Sequence, residues 1–229
     1  MKITRTKLGL RLSQHGIVIS ELRTTPGPTH SVFDLLAALI AVFAPAGRVG
    51  VLGFAGGGMM APLRQLGVEI TLDAVDLDHL GYELFLRHCP EWSRHVNWQQ
   101  ADAVAWLMQQ SPDFGLLLDD LSVPSKGDVV KPAISWNELP ALIRRRLRPG
   151  GVGIFNLLPP SKGSWNSPLM QIAGKFQAAR IIHMEEFDNR ILIVGDSLPS
   201  ARTLSARMNS ALLRLQSKQS RRMQVRTLR

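Results

Sequence analysis

The chain has 229 residues, of which 45% are hydrophobic and 20% are charged, and its formal net charge is +9. This composition is typical of a globular protein with one large domain and excludes an intrinsically disordered chain. The single cysteine, Cys89, excludes an intrachain disulfide and a metal site with several thiolate ligands.

The first predicted elements form a small N-terminal unit. Apolar and polar residues alternate on both sides of "SQHG", which predicts a short β-hairpin from Lys7 to Leu22. After the turn-forming stretch "TTPGPTH", Ser31 is placed to cap a helix from Val32 to Phe43. The longest apolar run begins at Leu35 and has ten residues, about half the length of a membrane span. We therefore expect a core helix here, no membrane span and a cytoplasmic location.

From Arg48 onward, predicted strands alternate with predicted helices. The strands cover residues 48–54, 69–76, 95–102, 114–121 and 148–158. Alternation of this kind predicts βαβ units and a parallel sheet covered on both faces. The segments "ARIIHMEEF" and "NRILIVGD" then predict an antiparallel hairpin. We predict an α/β fold with a Rossmann-like, doubly wound, mostly parallel seven-stranded sheet that ends in this hairpin.

The predicted organisation has three parts: a hairpin and linker in residues 1–30, a Rossmann-like ligand-binding domain in 31–200, and a basic helix and tail in 201–229. Residues 197–229 contain eight basic residues and no acidic one, so the rest of the chain is close to neutral. Helical spacing of apolar side chains in "LSARMNSALLRLQ" predicts an amphipathic helix. One interpretation is a solvated helix with a frayed end, and another is a homodimer interface. A third is nucleic-acid binding by a disordered "SKQSRRMQVRTLR".

The stretch "VGVLGFAGGGMMAPLRQLG", from Val49 to Gly67, crowds glycines between a predicted strand and a predicted helix. At such a junction, unpaired N–H groups face a crevice, and small residues let a ligand lie against the main chain. Asp76 ends the next strand, where a carboxylate can accept hydrogen bonds from both hydroxyls of a ribose. No Gly-Lys-Ser/Thr follows the glycines, which excludes a P-loop, and no basic residue is placed for a pyrophosphate. The pattern therefore predicts a nucleoside-type ligand without phosphate.

The order "VGVLGFAGGG", "AVDLD", "QQADAVAWL", "LLLDDLS" and "LRPGGVGIFNLL" resembles class I S-adenosylmethionine-dependent methyltransferases. Within that superfamily it is most similar to the spermidine synthase-like branch, and the resemblance covers Val49 to Gly195. It implies that S-adenosylmethionine, or decarboxylated S-adenosylmethionine as a co-substrate, binds the central domain. The implied cofactor-binding residues are Gly53, Ala55, Gly57, Gly58, Asp76, Asp78, Asp102, Ala103 and Asp119.

The resemblance also implies a role for each acidic position. Asp76 would hold the ribose hydroxyls with Asp78 close by, Asp102 and Ala103 would face the adenine, and Asp119 would face the sulfonium and the acceptor. The candidate catalytic bases are Asp119, Asp120 and His30. The loop from Ser122 to Ala133 is expected to form a lid over the acceptor.

Three functions are compatible with these residues. The first is methyl transfer from S-adenosylmethionine to an unidentified acceptor, expected to be a small molecule, for which positioning supplies most of the effect. The second is aminopropyl transfer to a polyamine, which needs carboxylates to bind the amine and take its proton. Against it, Ser122 stands where spermidine synthases have a second aspartate, and Tyr82 lies away from their tyrosine–histidine–acid motif, in which His30 is the nearest counterpart of the histidine. The third is a non-catalytic adenosyl-binding or interaction protein.

A metal site is not expected. Three histidines, His79, His88 and His95, are close to Cys89 in the sequence, but Pro90 interrupts any helix that would align their side chains.

Overall fold

A three-stranded antiparallel sheet begins the computed structural model, which describes residues 1–43, 47–160 and 163–229. Its strands are β1 (Lys2–Thr6), β2 (Gly9–Gln14) and β3 (Ile17–Arg23). The predicted hairpin corresponds to β2 and β3. The sequence did not reveal β1, because all of its residues are exposed and no buried face imposes an apolar alternation.

Helix α1 (Val32–Phe43) has the predicted bounds, and strands and helices then alternate as far as the strand that begins at Phe114. The strands are β4 (Arg48–Leu52), β5 (Leu72–Asp76), β6 (Val96–Gln100), β7 (Phe114–Asp119), β8 (Val123–Ser125), β9 (Asp128–Val130), β10 (Leu147–Leu157), β11 (Ala178–Met184), β12 (Arg190–Gly195) and β13 (Met223–Thr227). The remaining helices are α2 (Met60–Gln65), α3 (Leu80–His88), α4 (Ala103–Met108), α5 (Ala133–Asn137), α6 (Leu139–Arg146), α7 (Asn166–Ala173) and α8 (Ala201–Arg214). Short 3₁₀ helices cover Pro90–His95 and Lys218–Arg221.

The central sheet has the strand order β13-β11-β12-β10-β7-β4-β5-β6. Strands β10, β7, β4, β5 and β6 are parallel, whereas β12 is antiparallel to both β10 and β11. This is the predicted Rossmann-like, doubly wound α/β fold with an antiparallel end.

The sheet has eight strands instead of the predicted seven, because the basic C-terminal segment adds β13. This strand pairs antiparallel with β11, with Thr227 opposite Arg180. Met223 and Val225 pack against the core, while Gln224 and Arg226 are exposed. The interpretation of this end as disordered is therefore wrong. Its alternation of partly buried and exposed residues was not recognised in the sequence because the segment is strongly basic.

Hydrophobic side chains fill both faces of the central sheet. On one face, α1 and α8 cover the sheet together with the N-terminal strands, and on the other α4, α6 and α7 do so. Strand β7 lies between the two layers, and every residue from Phe114 to Asp119 is buried. Among the described residues, the helices are all too short or too polar to cross a bilayer.

Substitutions of two neighbouring leucines, one buried and one exposed, test the packing of α8. Leu212 is fully buried, whereas Leu213 is 61% exposed. We expect Leu212→Ala to lower the free energy of unfolding by about 2–5 kcal/mol, because it leaves a cavity in the core. Leu213→Ala should change it by about 0.5 kcal/mol or less. Urea unfolding of both variants measures the difference, and similar small effects would show that α8 does not pack on the body.

Candidate functional site

The strand order changes direction between β4 and β7. From β4 the chain continues to β5 and β6 on one side, and then crosses to β7 and β10 on the other. In open sheets of this kind, a crevice forms outside the carboxyl ends of the strands at this switch point. The residues that follow β4, β5 and β7 are therefore the ones that can meet a common ligand.

The loop after β4 touches the loop after β7. Gly53 has a left-handed φ of +89°, and a Cβ placed on it would lie 2.8 Å from the carbonyl oxygen of Asp120. Its N–H donates to the carbonyl oxygen of Val75 at 2.9 Å, which joins the loop to β5 as well. Only glycine fits this position.

Asp76 fixes the same loop from the end of β5. Its Oδ2 accepts a hydrogen bond of 2.8 Å from the N–H of Ala55, a non-glycine residue with a left-handed φ of 45°. Its Oδ1 accepts only a longer bond of 3.3 Å, from the N–H of Asp78. Gly53, Ala55 and Asp76 are all partly exposed. One carboxylate oxygen of Asp76 thus holds the loop in a strained conformation, and the other is available to accept hydrogen bonds from a ligand.

The other glycines of this loop have packing roles. A Cβ on Gly56 would lie 2.5 Å from Leu22, one on Gly57 2.6 Å from Phe54, and one on Gly58 2.9 Å from the ring of Phe33. All three glycines are buried. This packing explains why side chains are absent here, and the expectation that Gly57 and Gly58 line the ligand stays a prediction. Sequence reasoning did not include the N-terminal sheet, which packs against Gly56, or α1, which packs against Gly58.

Two of the predicted cofactor-binding aspartates accept hydrogen bonds from N–H groups at the starts of helices. Asp78 Oδ1 accepts a hydrogen bond of 2.9 Å from the N–H of Leu80 at the start of α3. Asp102 Oδ1 accepts bonds from Val104 and Ala105, so Asp102 is the N-cap of α4. Both carboxylates are exposed, whereas Ala103 is buried. N-capping accounts for Asp102, whereas the N-cap residue of α3 is His79. The predicted ligand contacts of Asp78 and Asp102 stay predictions.

Asp119 is fully buried in an ion pair with Lys131. The Nζ of Lys131 lies 2.8 Å from Asp119 Oδ1 and 3.2 Å from the carbonyl oxygen of the same residue. The same Oδ1 also accepts the N–H of Leu121, and Oδ2 has no partner among the described residues. The side chain of Asp119 has 0% exposure, and its predicted contact with the sulfonium and the acceptor stays a prediction. Sequence reasoning missed Lys131, because no local pattern links it to β7.

Asp120 is the carboxylate at this edge that reaches the crevice. It is partly exposed, and its Oδ1 accepts a hydrogen bond of 2.7 Å from Asn156 Nδ2. The Oδ1 of Asn156 in turn accepts a bond of 2.9 Å from Asn189 Nδ2, which fixes the orientation of the Asn156 amide.

The surroundings of Asp120 raise the pKa of its carboxyl group to near neutral pH. Desolvation raises the pKa of Asp120 to about 7, although the bond from Asn156 and the charge of Lys131 lower it. The nearby charges of Asp119 and Asp76 raise it further. A carboxyl group with this pKa can accept or release a proton near neutral pH.

His30 lies elsewhere in the hydrogen-bond network. Its Nδ1 accepts the N–H of Lys218 at 3.4 Å, and its carbonyl oxygen accepts a bond of 3.0 Å from Gln219. Its own N–H donates to Asp34. His30 therefore holds the C-terminal 3₁₀ helix, and its predicted catalytic role has no support from these contacts.

The predicted lid is a small hairpin. Strands β8 and β9 pair antiparallel, and Lys126 and Gly127 form the turn with positive φ angles. Lys131 anchors its end in the core. Among the described residues, no group of three or more His, Cys, Asp or Glu side chains is arranged to hold a metal ion. Burial raises the pKa of Cys89 to about 11, so its thiol stays protonated.

Comparisons with known proteins identify the fold. A scan against protein-family models and a search of curated proteins both find no match. Among solved structures, human Methyltransferase-like protein 13 in complex with SAH has a TM-score of 0.62 and 17% identity, over 82% of this chain and 92% of that one. Spermidine synthase from Thermotoga maritima has a TM-score of 0.64 and 13% identity, over 84% and 67%. Another spermidine synthase, in complex with the transition-state analogue AdoDATO, has a TM-score of 0.64 and 12% identity, over 84% and 68%. The chain has the class I methyltransferase fold, which spermidine synthases share.

The buried ion pair predicts a large effect of removing one charge. Lys131→Met leaves the carboxylate of Asp119 buried without a cation, and we expect the free energy of unfolding to fall by about 3–5 kcal/mol. The double variant Lys131→Met, Asp119→Leu removes both charges and should recover most of this loss. Urea unfolding compares the two, and an equal loss in both would contradict this account.

The raised pKa of Asp120 predicts a pH-dependent stability. In the unfolded chain this carboxyl ionises near its ordinary value of 3.8, and in the folded protein near 7. The unfolded state therefore binds fewer protons between these values, and the contribution of Asp120 to stability falls as pH rises through this window. Asp120→Asn should remove this part of the slope, measured as the difference between the two stability–pH curves. Parallel curves would show that Asp120 titrates normally.

Proposed function

We propose that the chain is a methyltransferase that uses S-adenosylmethionine. The observation that carries the proposal is the meeting of the loops after β4, β5 and β7 at the switch point, where Gly53 and Ala55 present main chain and Asp76 and Asp120 present carboxylates. Two of the proteins with this fold have been seen with SAH or AdoDATO bound. Their fold supports an adenosyl ligand in the same crevice here.

The residues around the crevice suit a ribose and a methionine moiety. Asp76 uses Oδ2 to hold the N–H of Ala55, which leaves Oδ1 to accept hydrogen bonds from ribose hydroxyls. Gly53 and Ala55 have small or absent side chains, so a ligand can lie against their main chain. The negative charges of Asp76 and Asp120 are complementary to a sulfonium cation.

The chemistry that the chain itself must supply is limited. S-adenosylmethionine, when bound, carries a methyl group that its sulfonium already activates. The protein orients the acceptor for in-line attack and excludes water, and both effects lower the barrier. Asp120 takes the proton of an acceptor O–H or N–H at its carboxylate, for which a pKa of about 7 is well matched. The β8–β9 hairpin, anchored at Lys131, covers the acceptor side.

Aminopropyl transfer is the second candidate, because spermidine synthases share the fold. Two observations count against it. Ser122, in place of a second acidic residue, is exposed and offers no carboxylate for an amine. Tyr82 stacks on Trp98 with 4.5 Å between ring centroids, so it packs on the protein. A non-catalytic adenosyl-binding protein is the third candidate.

Ligand-dependent thermal unfolding distinguishes the three. We expect S-adenosylmethionine and its demethylated product to raise the melting temperature, since a ligand at about 100 times its Kd adds about 2.7 kcal/mol of stability. Asp76→Asn should abolish most of this shift, because the amide nitrogen cannot accept a ribose hydrogen bond. Asp73→Asn is the matched control on the same strand, since Asp73 bonds Arg48 and Asn97 away from the crevice.

The pattern of responses decides among the candidates. A preference for decarboxylated S-adenosylmethionine over S-adenosylmethionine would favour aminopropyl transfer. Binding of S-adenosylmethionine without methylation of any acceptor in a labelled-methyl assay would favour the non-catalytic protein. No response to any of the ligands, or equal shifts in Asp76→Asn and Asp73→Asn, would contradict the assignment of the crevice.

A further inference from the structure

Three positively chargeable side chains form a row across the antiparallel end of the central sheet. On β11, His183 is paired with Arg190 of β12 and with Gln224 of β13, and Ile181 is paired with Arg226. Directly paired residues lie on the same face of a sheet, as do residues two apart on one strand. Arg190, His183 and Arg226 therefore share one face, which we call the basic sheet face.

The three side chains of the basic sheet face reach solvent and, in the part of the chain that the structure describes, lack acidic partners. Arg226 is exposed, and His183 and Arg190 are half-buried. Within the described ranges, none of the three forms an ion pair with a carboxylate, and Arg226 donates only to Gln224. Burial lowers the pKa of His183, and the charges of Arg190 and Arg226 lower it further. A bound anion would relieve this repulsion among like charges.

One of the three cations is held in place before any ligand binds. The guanidinium carbon of Arg190 lies 4.5 Å from the centroid of the Trp165 ring, a cation–π contact. Trp165 packs against Trp136, with 6.4 Å between ring centroids. A guanidinium fixed in this way loses less conformational entropy when it binds a phosphate.

The row has an extent suited to a chain of phosphates. It crosses three adjacent strands, so Arg190 and Arg226 are about 10 Å apart in the hydrogen-bonding direction. A polymer with a charge on each unit can place successive charges along such a row. The basic C-terminal segment, with eight basic residues in 197–229, adds a positive field around β13.

We propose that the basic sheet face binds the phosphodiester backbone of a nucleic-acid strand. Arg190 and Arg226 contact phosphate oxygens, with His183 between them, and Trp165 holds Arg190 in position. The contacts are to the backbone and carry no base sequence information. The proposal goes beyond the proposed methyl transfer and does not depend on it, since binding requires no turnover.

The basic sheet face lies close to the edge of the sheet at which the crevice is expected. Arg190 is paired with Leu157 at the carboxyl end of β10, and the preceding residue, Asn189, bonds Asn156 on the other side of the same sheet edge. A nucleic-acid strand bound to the basic sheet face therefore lies beside the edge of the sheet that carries Asp120.

The test measures binding of a fluorescent single-stranded RNA of mixed sequence by anisotropy, with a single-stranded DNA and a duplex DNA in parallel. The test variant is Arg190→Gln, Arg226→Gln. The matched control is Arg202→Gln, Arg207→Gln, which removes the same charge from exposed positions on α8. Arg226→Gln alone is a second test variant at an exposed position, in case the double change disturbs folding.

The expected result is a loss of about tenfold or more in affinity for the double test variant, with the salt slope of log K reduced by about 1–2. The control pair should lose about threefold or less. Trp165→Leu should weaken binding, with Trp165→Phe partly restoring it. The melting-temperature shift with S-adenosylmethionine should be unchanged in all of these variants, so that failure here is separable from failure of the proposed function.

Three results would overturn the proposal. The first is the absence of salt-dependent binding of any of the nucleic acids to the wild-type chain. The second is an equal loss in the test and control pairs, because binding would then follow net charge alone. The third is competition by polyglutamate as effective as that by unlabelled RNA at equal charge, because the face would then accept any polyanion.

Discussion

The contact between the loops after β4 and β7 is the constraint on which the rest of the site depends. Gly53 has no side chain, so the main chain of Asp120 lies directly against it, and any Cβ would separate the two loops. Asp76 completes the arrangement by holding the left-handed backbone of Ala55. One glycine and one carboxylate thus bring the ends of three strands together. The crevice is a consequence of this closure and not of the glycine triplet that follows.

Adjacent carboxylates at the end of β7 have different roles because successive residues of a strand point to opposite faces. Asp119 faces the layer of α4, α6 and α7, where desolvation makes an unpaired charge costly, and Lys131 neutralises it. Asp120 faces the crevice, where Asn156 donates to it and partial burial raises its pKa. The buried pair also fixes the end of the β8–β9 hairpin. The buried Asp119–Lys131 pair therefore positions the hairpin next to Asp120, whose carboxyl group titrates near neutral pH.

Local patterns predicted the parts of the fold that local forces determine. The bounds of α1, the strand–helix alternation and the acidic end of β5 follow from periodicity and strand-end chemistry. The packing roles of Gly56 and Gly58 depend on the N-terminal sheet and α1, which lie outside the βαβ unit. The Asp119–Lys131 pair and the strand β13 depend equally on long-range contacts. Long-range burial leaves no spacing signal, so the pairing of Asp119 with Lys131 could not be predicted from the sequence.

The start of β12 connects the two sides of the sheet. Asn189 and Arg190 are consecutive, so their side chains leave on opposite faces. Asn189 reaches Asn156 and through it Asp120, while Arg190 lies over Trp165 on the basic sheet face. Movement of this short segment therefore changes both the hydrogen bond that lowers the pKa of Asp120 and the position of Arg190. The contact of Arg190 with Trp165 therefore helps to hold the segment from which Asn189 reaches Asn156.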